Sequence, residues 1–80
     1  MSIKKNLIDE LEILLQFNLD TTQTGIKVHH DARQGLIDAS ERLYQKGLIT
    51  HNDGGYLTEL GHEAAEHIQL AIRLLTPTSH

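Results

Sequence analysis

Leu36-Ile37-Asp38-Ala39-Ser40-Glu41-Arg42-Leu43-Tyr44-Gln45-Lys46-Gly47-Leu48-Ile49, then Gly54-Gly55-Tyr56-Leu57-Thr58-Glu59-Leu60-Gly61, is the stretch that decides the fold of this 80-residue chain. Leu36, Ala39 and Leu43 recur at helical spacing, with Ala32, Ile37 and Tyr44 beside them. Gly47 follows as a left-handed helix stop. Leu48-Ile49-Thr50 and Tyr56-Leu57-Thr58 are β-prone runs, and His51-Asn52-Asp53-Gly54-Gly55 between them carries turn residues, so a tight antiparallel hairpin is expected. Thr58 can then cap a new helix whose first turn holds Glu59, the favourable sign for the helix dipole.

Upstream, Asp31 stands three residues ahead of Gln34 in a variant capping box, which starts the central helix over 31–46. Downstream, a last helix over 59–75 has Leu60, Ala64, Ile68, Ala71, Ile72 and Leu75 as its inner stripe. Pro77 limits that helix, and 76–80 reads as a frayed tail. The first segment, 3–17, places Ile3, Leu7, Ile8, Leu11, Leu14 and Leu15 at amphipathic spacing. Its polar face holds Lys4, Lys5, Asp9, Glu10 and Glu12, and Ser2 is the expected N-cap. Residues 18–30 break the helical pattern. Three threonines, Asp20 and Gly25 disfavour a helix, Asp20-Thr21-Thr22 suits a single capped turn, and Ile26-Lys27-Val28 alternates like a short strand. The expected architecture is one mainly α domain over 1–80, with three helices and a short hairpin over 48–58.

Residues 31–75 resemble the winged helix-turn-helix proteins of the MarR and PadR types. The likeness lies in residues 36–49, whose Leu43-x-x-x-Gly47-Leu48-Ile49 ending is similar to the Leu-x-x-Leu-x-x-x-Gly-Leu-Ile phrase of those families, and in the Tyr56-Leu57-Thr58-x-x-Gly61 phrase that opens the last helix. The resemblance implies a winged-helix-like fold in which the 31–46 helix reads DNA and the hairpin is the wing. The contacts it implies are Arg33, Gln34, Arg42 and Lys46, with Lys27 on the approach segment.

Composition restrains that implication. Seven Lys and Arg stand against eleven Asp and Glu, a formal charge of −4. In the 31–46 helix, Arg33, Arg42 and Lys46 are balanced by Asp31, Asp38 and Glu41, and the hairpin tip has one acid and no Lys or Arg. Phosphate neutralisation supplies most non-specific DNA affinity, so charge placement weighs against a DNA role. Without cysteine there is no disulfide framework, thiolate metal site or cysteine nucleophile. No apolar run approaches the ~20 residues that span a bilayer, and no signal peptide is evident, so a cytoplasmic setting is expected.

Six histidines raise the question of a metal. His62-Glu63-Ala64-Ala65-Glu66-His67 resembles a zinc-protease helix, but its histidines are five apart, about 140° around a helix rather than on one face. His62 with Glu66, and Glu63 with His67, read more simply as surface pairs. His29 and His30 are adjacent in extended chain and point opposite ways. The carboxylate pairs Asp9/Glu10 and Glu63/Glu66 lie on polar faces, where solvation explains them. No cofactor, metal site or catalytic residue is expected, and the protein is not expected to be an enzyme.

What remains is a surface. His67, Leu70 and Leu74 form a second apolar face on the last helix, and helices apolar on two sides bury both. A first helix laid over that face would cover part of it; otherwise terminal helices pair across a two-fold axis. The leading expectation is a non-catalytic protein-interaction or regulatory module, dimeric through this face or bound through the Ile37/Tyr44 flank. DNA-binding regulation is the alternative.

Overall fold

The architecture grows from the end of the central helix. A computed structural model describes residues 3–77. The elements are α1 (Lys5–Leu14), β1 (Ile26–Lys27), α2 (Gln34–Gln45), β2 (Ile49–His51), β3 (Gly54–Leu57) and α3 (Glu59–Leu75). At the end of α2, Gly47 adopts a φ of 78°, which an L side chain rarely tolerates. The Leu48 N–H donates to the Leu43 carbonyl (2.9 Å) and the Gly47 N–H to that of Tyr44 (3.0 Å). These are the two bonds of a Schellman motif, and they turn Ile49 into the core.

The hairpin forms as expected, with Ile49 opposite Leu57 and His51 opposite Gly54 across an irregularity in register. The Ser40 hydroxyl lies 2.8 Å from the Asn52 carbonyl and 2.9 Å from that of Ile37, fastening the hairpin turn to α2. The strand-like run in 18–30 is β1. It pairs antiparallel with β3, Ile26 opposite Gly55, and makes a three-stranded sheet of order β1-β3-β2. The fold is mainly helical with a small antiparallel sheet. Its core joins Ile13, Leu14 and Phe17 to Ala39, Leu43, Ile49 and Ala65.

Several local expectations shift. Thr58 caps α3 as its sequence predicts, accepting from the Gly61 N–H at 3.0 Å. Asp31 does not cap α2. Residues 29–32 form a turn closed by Ala32 N–H to His29 carbonyl (3.0 Å), so Arg33 takes the cap position without a side-chain bond. Gln34 instead donates to Asp38 at 2.9 Å. α1 is shorter than 3–17, and the expected Ser2 cap lies outside the described residues. Segment 18–24 is held by side-chain turns, Asn18 accepting from Asp20 N–H and Thr21 from Gln23 N–H, rather than by a helical turn.

The terminal helices turn unexpected faces inward. In α1 the core residues are Ile13 and Leu14, continued by Phe17, while Leu7, Ile8 and Leu15 of the expected stripe face solvent. Asp9 and Glu10, expected on a solvated face, are only 3% and 5% exposed. In α3 the buried residues are Gly61 and Ala65, whereas Leu60, Ala71, Ile72 and Leu75 of the expected inner stripe are exposed. Gln69 donates to the carbonyls of Leu14 (3.2 Å) and Phe17 (2.8 Å), so α3 crosses the end of α1 there. Beyond Gln69 every residue of α3 is exposed, because the helix has run past the body.

Candidate functional site

Two features distinguish the surface, and both originate in how α1 sits. Burying Asp9 and Glu10 is tolerable only if each carboxylate meets cations. α2 and its two caps supply them. Arg33 donates to Asp9 at 2.9 Å and approaches Glu12 at 3.4 Å. Arg42 donates through Nε to Glu10 at 3.2 Å and through a terminal nitrogen to the Asn6 carbonyl, also at 3.2 Å. Lys46 completes the group with a short contact to Glu10, and Lys5 lies 3.8 Å from Asp9.

All five residues marked for DNA contact are therefore engaged within the chain. Arg33, Arg42 and Lys46 neutralise α1, Lys27 lies 3.5 Å from Asp53, and Gln34 is bonded to Asp38. Among the described residues only Lys4 and Arg73 of the seven cations lack a carboxylate partner. The hairpin tip, as read from the sequence, offers no cation of its own.

The Arg33 hydrogen bond holds the Asp9 carboxyl below its ordinary value of 3.8, outweighing the opposing effect of burial, and raises Arg33 in return. A folded-state value below the unfolded one means the pair stabilises fully above about pH 5 and loses this contribution as Asp9 is protonated below pH 4. Acid thermal melts should therefore fall more steeply for the wild-type chain than for Arg33→Met. Equal acid slopes for the two would remove this role from the pair.

The second feature is apolar. Leu7, Ile8 and Leu15 of α1 face solvent, and Leu11 between them is half-buried. The end of α3 exposes Leu70, Ala71, Ile72, Leu74 and Leu75, with Leu74 and Leu75 at 74% and 79%. Arg73 is the only charge in those two turns, so the helix end is apolar on nearly every side. His67 and Leu70 line an open groove of roughly 730 Å³ between α3 and segment 17–20, together with Asp20, His62, Glu66 and Arg73. His67, Leu70 and Leu74 are all exposed, whereas Ile37 is half-buried beside exposed Tyr44.

The groove does not assemble a metal centre. His62 contacts Glu66 at 3.0 Å, the surface pair read from the sequence, and among the described residues no group of three ligating side chains could hold an ion. His29 and His30 are exposed on the turn before α2. No helix among the described residues is long and apolar enough to cross a membrane.

Sequence reasoning missed the carboxylate–cation cluster and the outward stripe of α1. One signal was available for the first: Arg42 and Lys46 share a face of α2, and adjacent Asp9 and Glu10 interrupt the α1 pattern. In comparisons with known proteins, residues 1–76 match a family described as a family of unknown function (DUF5669). No curated protein and no solved structure matches.

Proposed function

Because the chain belongs to this family of unknown function, we propose its role from its own surface: a non-catalytic, winged-helix-like interaction module that works through protein contact as a dimer. The observation that carries this reading is the aliphatic end of α3. A helix apolar on nearly all sides is normally enclosed by protein, and every residue of α3 beyond Gln69 is exposed. An 80-residue domain with no disulfide gains from burying such surface against a partner.

The winged-helix element of the reading is supported by α2 leading through Gly47 into the hairpin, with β1 closing the sheet ahead of α2. A turn over residues 29–32 stands where a helix-turn-helix has its first helix. DNA binding is the second reading, favoured by the helix-and-hairpin arrangement, and the missing first helix counts against it. Against it stands the commitment of Lys27, Arg33, Arg42 and Lys46 to carboxylates, since these ion pairs would compete with phosphate.

Light scattering across a concentration series tests the proposal. A mass above the 9.0 kDa single chain, reduced by Leu70→Glu with Leu74→Glu, is the expected result. A single-chain mass at every concentration, unchanged by those substitutions, would sink it. Amide-shift titration with duplex DNA at two salt concentrations tests the second reading, which requires affinity that falls steeply with salt.

A further inference from the structure

We infer that α3 pairs antiparallel with α3 of a second copy of this chain, about a two-fold axis at Leu70, and that reciprocal Arg73–Glu66 ion pairs set this arrangement. This rests on the dimeric reading above and names the charged residues that decide how the two copies meet.

The seam follows from the helix geometry. Leu70 lies nine residues beyond buried Gly61, which at 100° per residue points it the opposite way, straight out from the core. Glu66 and Arg73 flank it on one side, about 40° and 60° away, and His67 and Leu74 flank it on the other, about 60° and 40° away. All five are exposed. An isologous interface requires one patch to complement itself. A two-fold axis perpendicular to the plane of the two helices brings like flanks together in reversed order. Leu70 then meets Leu70 of the second copy, Leu74 meets its His67, and Arg73 meets its Glu66, each within about 2 Å of the same level along the helix.

Charge points to a second copy and fixes the sense. Among the described residues Arg73 has no carboxylate partner, and Glu66 meets only His62, at 3.0 Å, which is cationic only when protonated. Within one helix Arg73 and Glu66 cannot pair, because seven residues of rise hold them about 10 Å apart. Reversing the second helix removes that separation twice over, once for each copy. Parallel pairing would preserve it and leave all four charges unmatched.

The groove beside the charged flank has room for the incoming cation. Its roughly 730 Å³ lies between α3 and segment 17–20, and Asp20 lines it together with Glu66. Asp20 is exposed and has no ion-pair partner among the described residues, so an arginine entering there finds a second carboxylate. Ile72 and Leu75 stay outside the seam, which takes one side of α3 only. The interface is therefore of the small class that forms and parts with concentration.

Charge reversal tests the pairing. In sedimentation equilibrium over a concentration series, Arg73→Glu should raise the dimer dissociation constant about tenfold, since two ion pairs become two repulsions. Adding Glu66→Arg in the same chain should bring it back to within about threefold of the wild-type value. Cysteine, which the native chain lacks, reports the sense. Under mild oxidation Leu70→Cys should cross-link about tenfold or more faster than the exposed control Gln16→Cys, because pairing holds its thiols together. Leu74→Cys should be as slow as the control, since the antiparallel axis sets its two thiols about 12 Å apart. Equal rates for Leu74→Cys and Leu70→Cys overturn the antiparallel sense. A dimeric mass that Leu70→Glu with Leu74→Glu abolishes, but that Arg73→Glu leaves unchanged or Glu66→Arg fails to restore, overturns the ion pairs while leaving the dimeric reading intact. A single-chain mass at every concentration overturns both.

Discussion

Gly61→Ala is expected to destabilise the protein severely, although it replaces the poorer helix former with the best one. Helix propensity alone would favour alanine by about 1 kcal/mol. In the fold, however, a Cβ at position 61 would fall well inside contact distance of the Leu48 carbonyl, with the Leu48 Cα close behind. That carbonyl cannot swing away without loss, because it accepts the Thr58 N–H at 3.1 Å and so anchors the start of α3. Overpacking against backbone costs about 1–3 kcal/mol or more, so the net change should be destabilising by roughly 2 kcal/mol. For 80 residues the total stability is of the order of 4–12 kcal/mol. Urea unfolding followed by circular dichroism measures the change. A variant as stable as the wild-type chain would show that α3 can lift from Leu48 freely, against this account of why glycine stands there.

Ile13→Ala should be comparably damaging, and Leu7→Ala should not, although both are large aliphatic residues on the same helix. Ile13 is fully buried beside Leu43, Ile49 and Ala65 in the core, and truncating such a side chain costs about 2–5 kcal/mol through lost burial and the cavity left behind. Leu7 is 45% exposed in the single chain and contacts little that its removal would leave unfilled. Urea unfolding curves of the two variants in dilute solution provide the comparison. Equal losses for the two variants in dilute solution would mean that α1 packs through its periodic stripe after all.

That contrast shows where periodicity stops being informative. Apolar spacing along α1 points to Ile3, Leu7, Ile8, Leu11, Leu14 and Leu15, of which only Leu14 is buried in the core, and it passes over Ile13. α1 has two apolar arcs: one led by Ile13, Leu14 and Phe17, the other by Leu7, Leu11 and Leu15. A spacing rule sees both as hydrophobic and has no means of choosing which meets the core. The choice follows from what α2 offers. Arg33, Arg42 and Lys46 provide cations for Asp9 and Glu10, so the arc flanked by carboxylates is the one that packs. The same cluster alters the functional reading. Cations that look available to phosphate in the linear sequence are occupied once α1 is in place. For α3, the last two turns carry a good helical pattern, but every residue from Leu70 to Leu75 is exposed.

The sequence by itself determined the elements and their punctuation. The Schellman stop at Gly47, the hairpin between Ile49 and Leu57, and the Thr58 cap each depend on residues no more than about eight positions apart. Such features are settled by backbone sterics and short-range hydrogen bonds, which a local reading can evaluate. Only the tertiary structure decided which faces of α1 and α3 turn inward, that β1 pairs with β3, and that the cations of α2 are spent on α1. The ion pairs Arg33–Asp9, Arg42–Glu10 and Lys46–Glu10 join residues 24 to 36 positions apart, and Gln69 reaches Phe17 and Leu14 across 52 and 55. Burial of a charged helix face is favourable only when its counterions arrive from elsewhere in the chain. The free energy of that arrangement therefore belongs to the folded whole and to no segment alone.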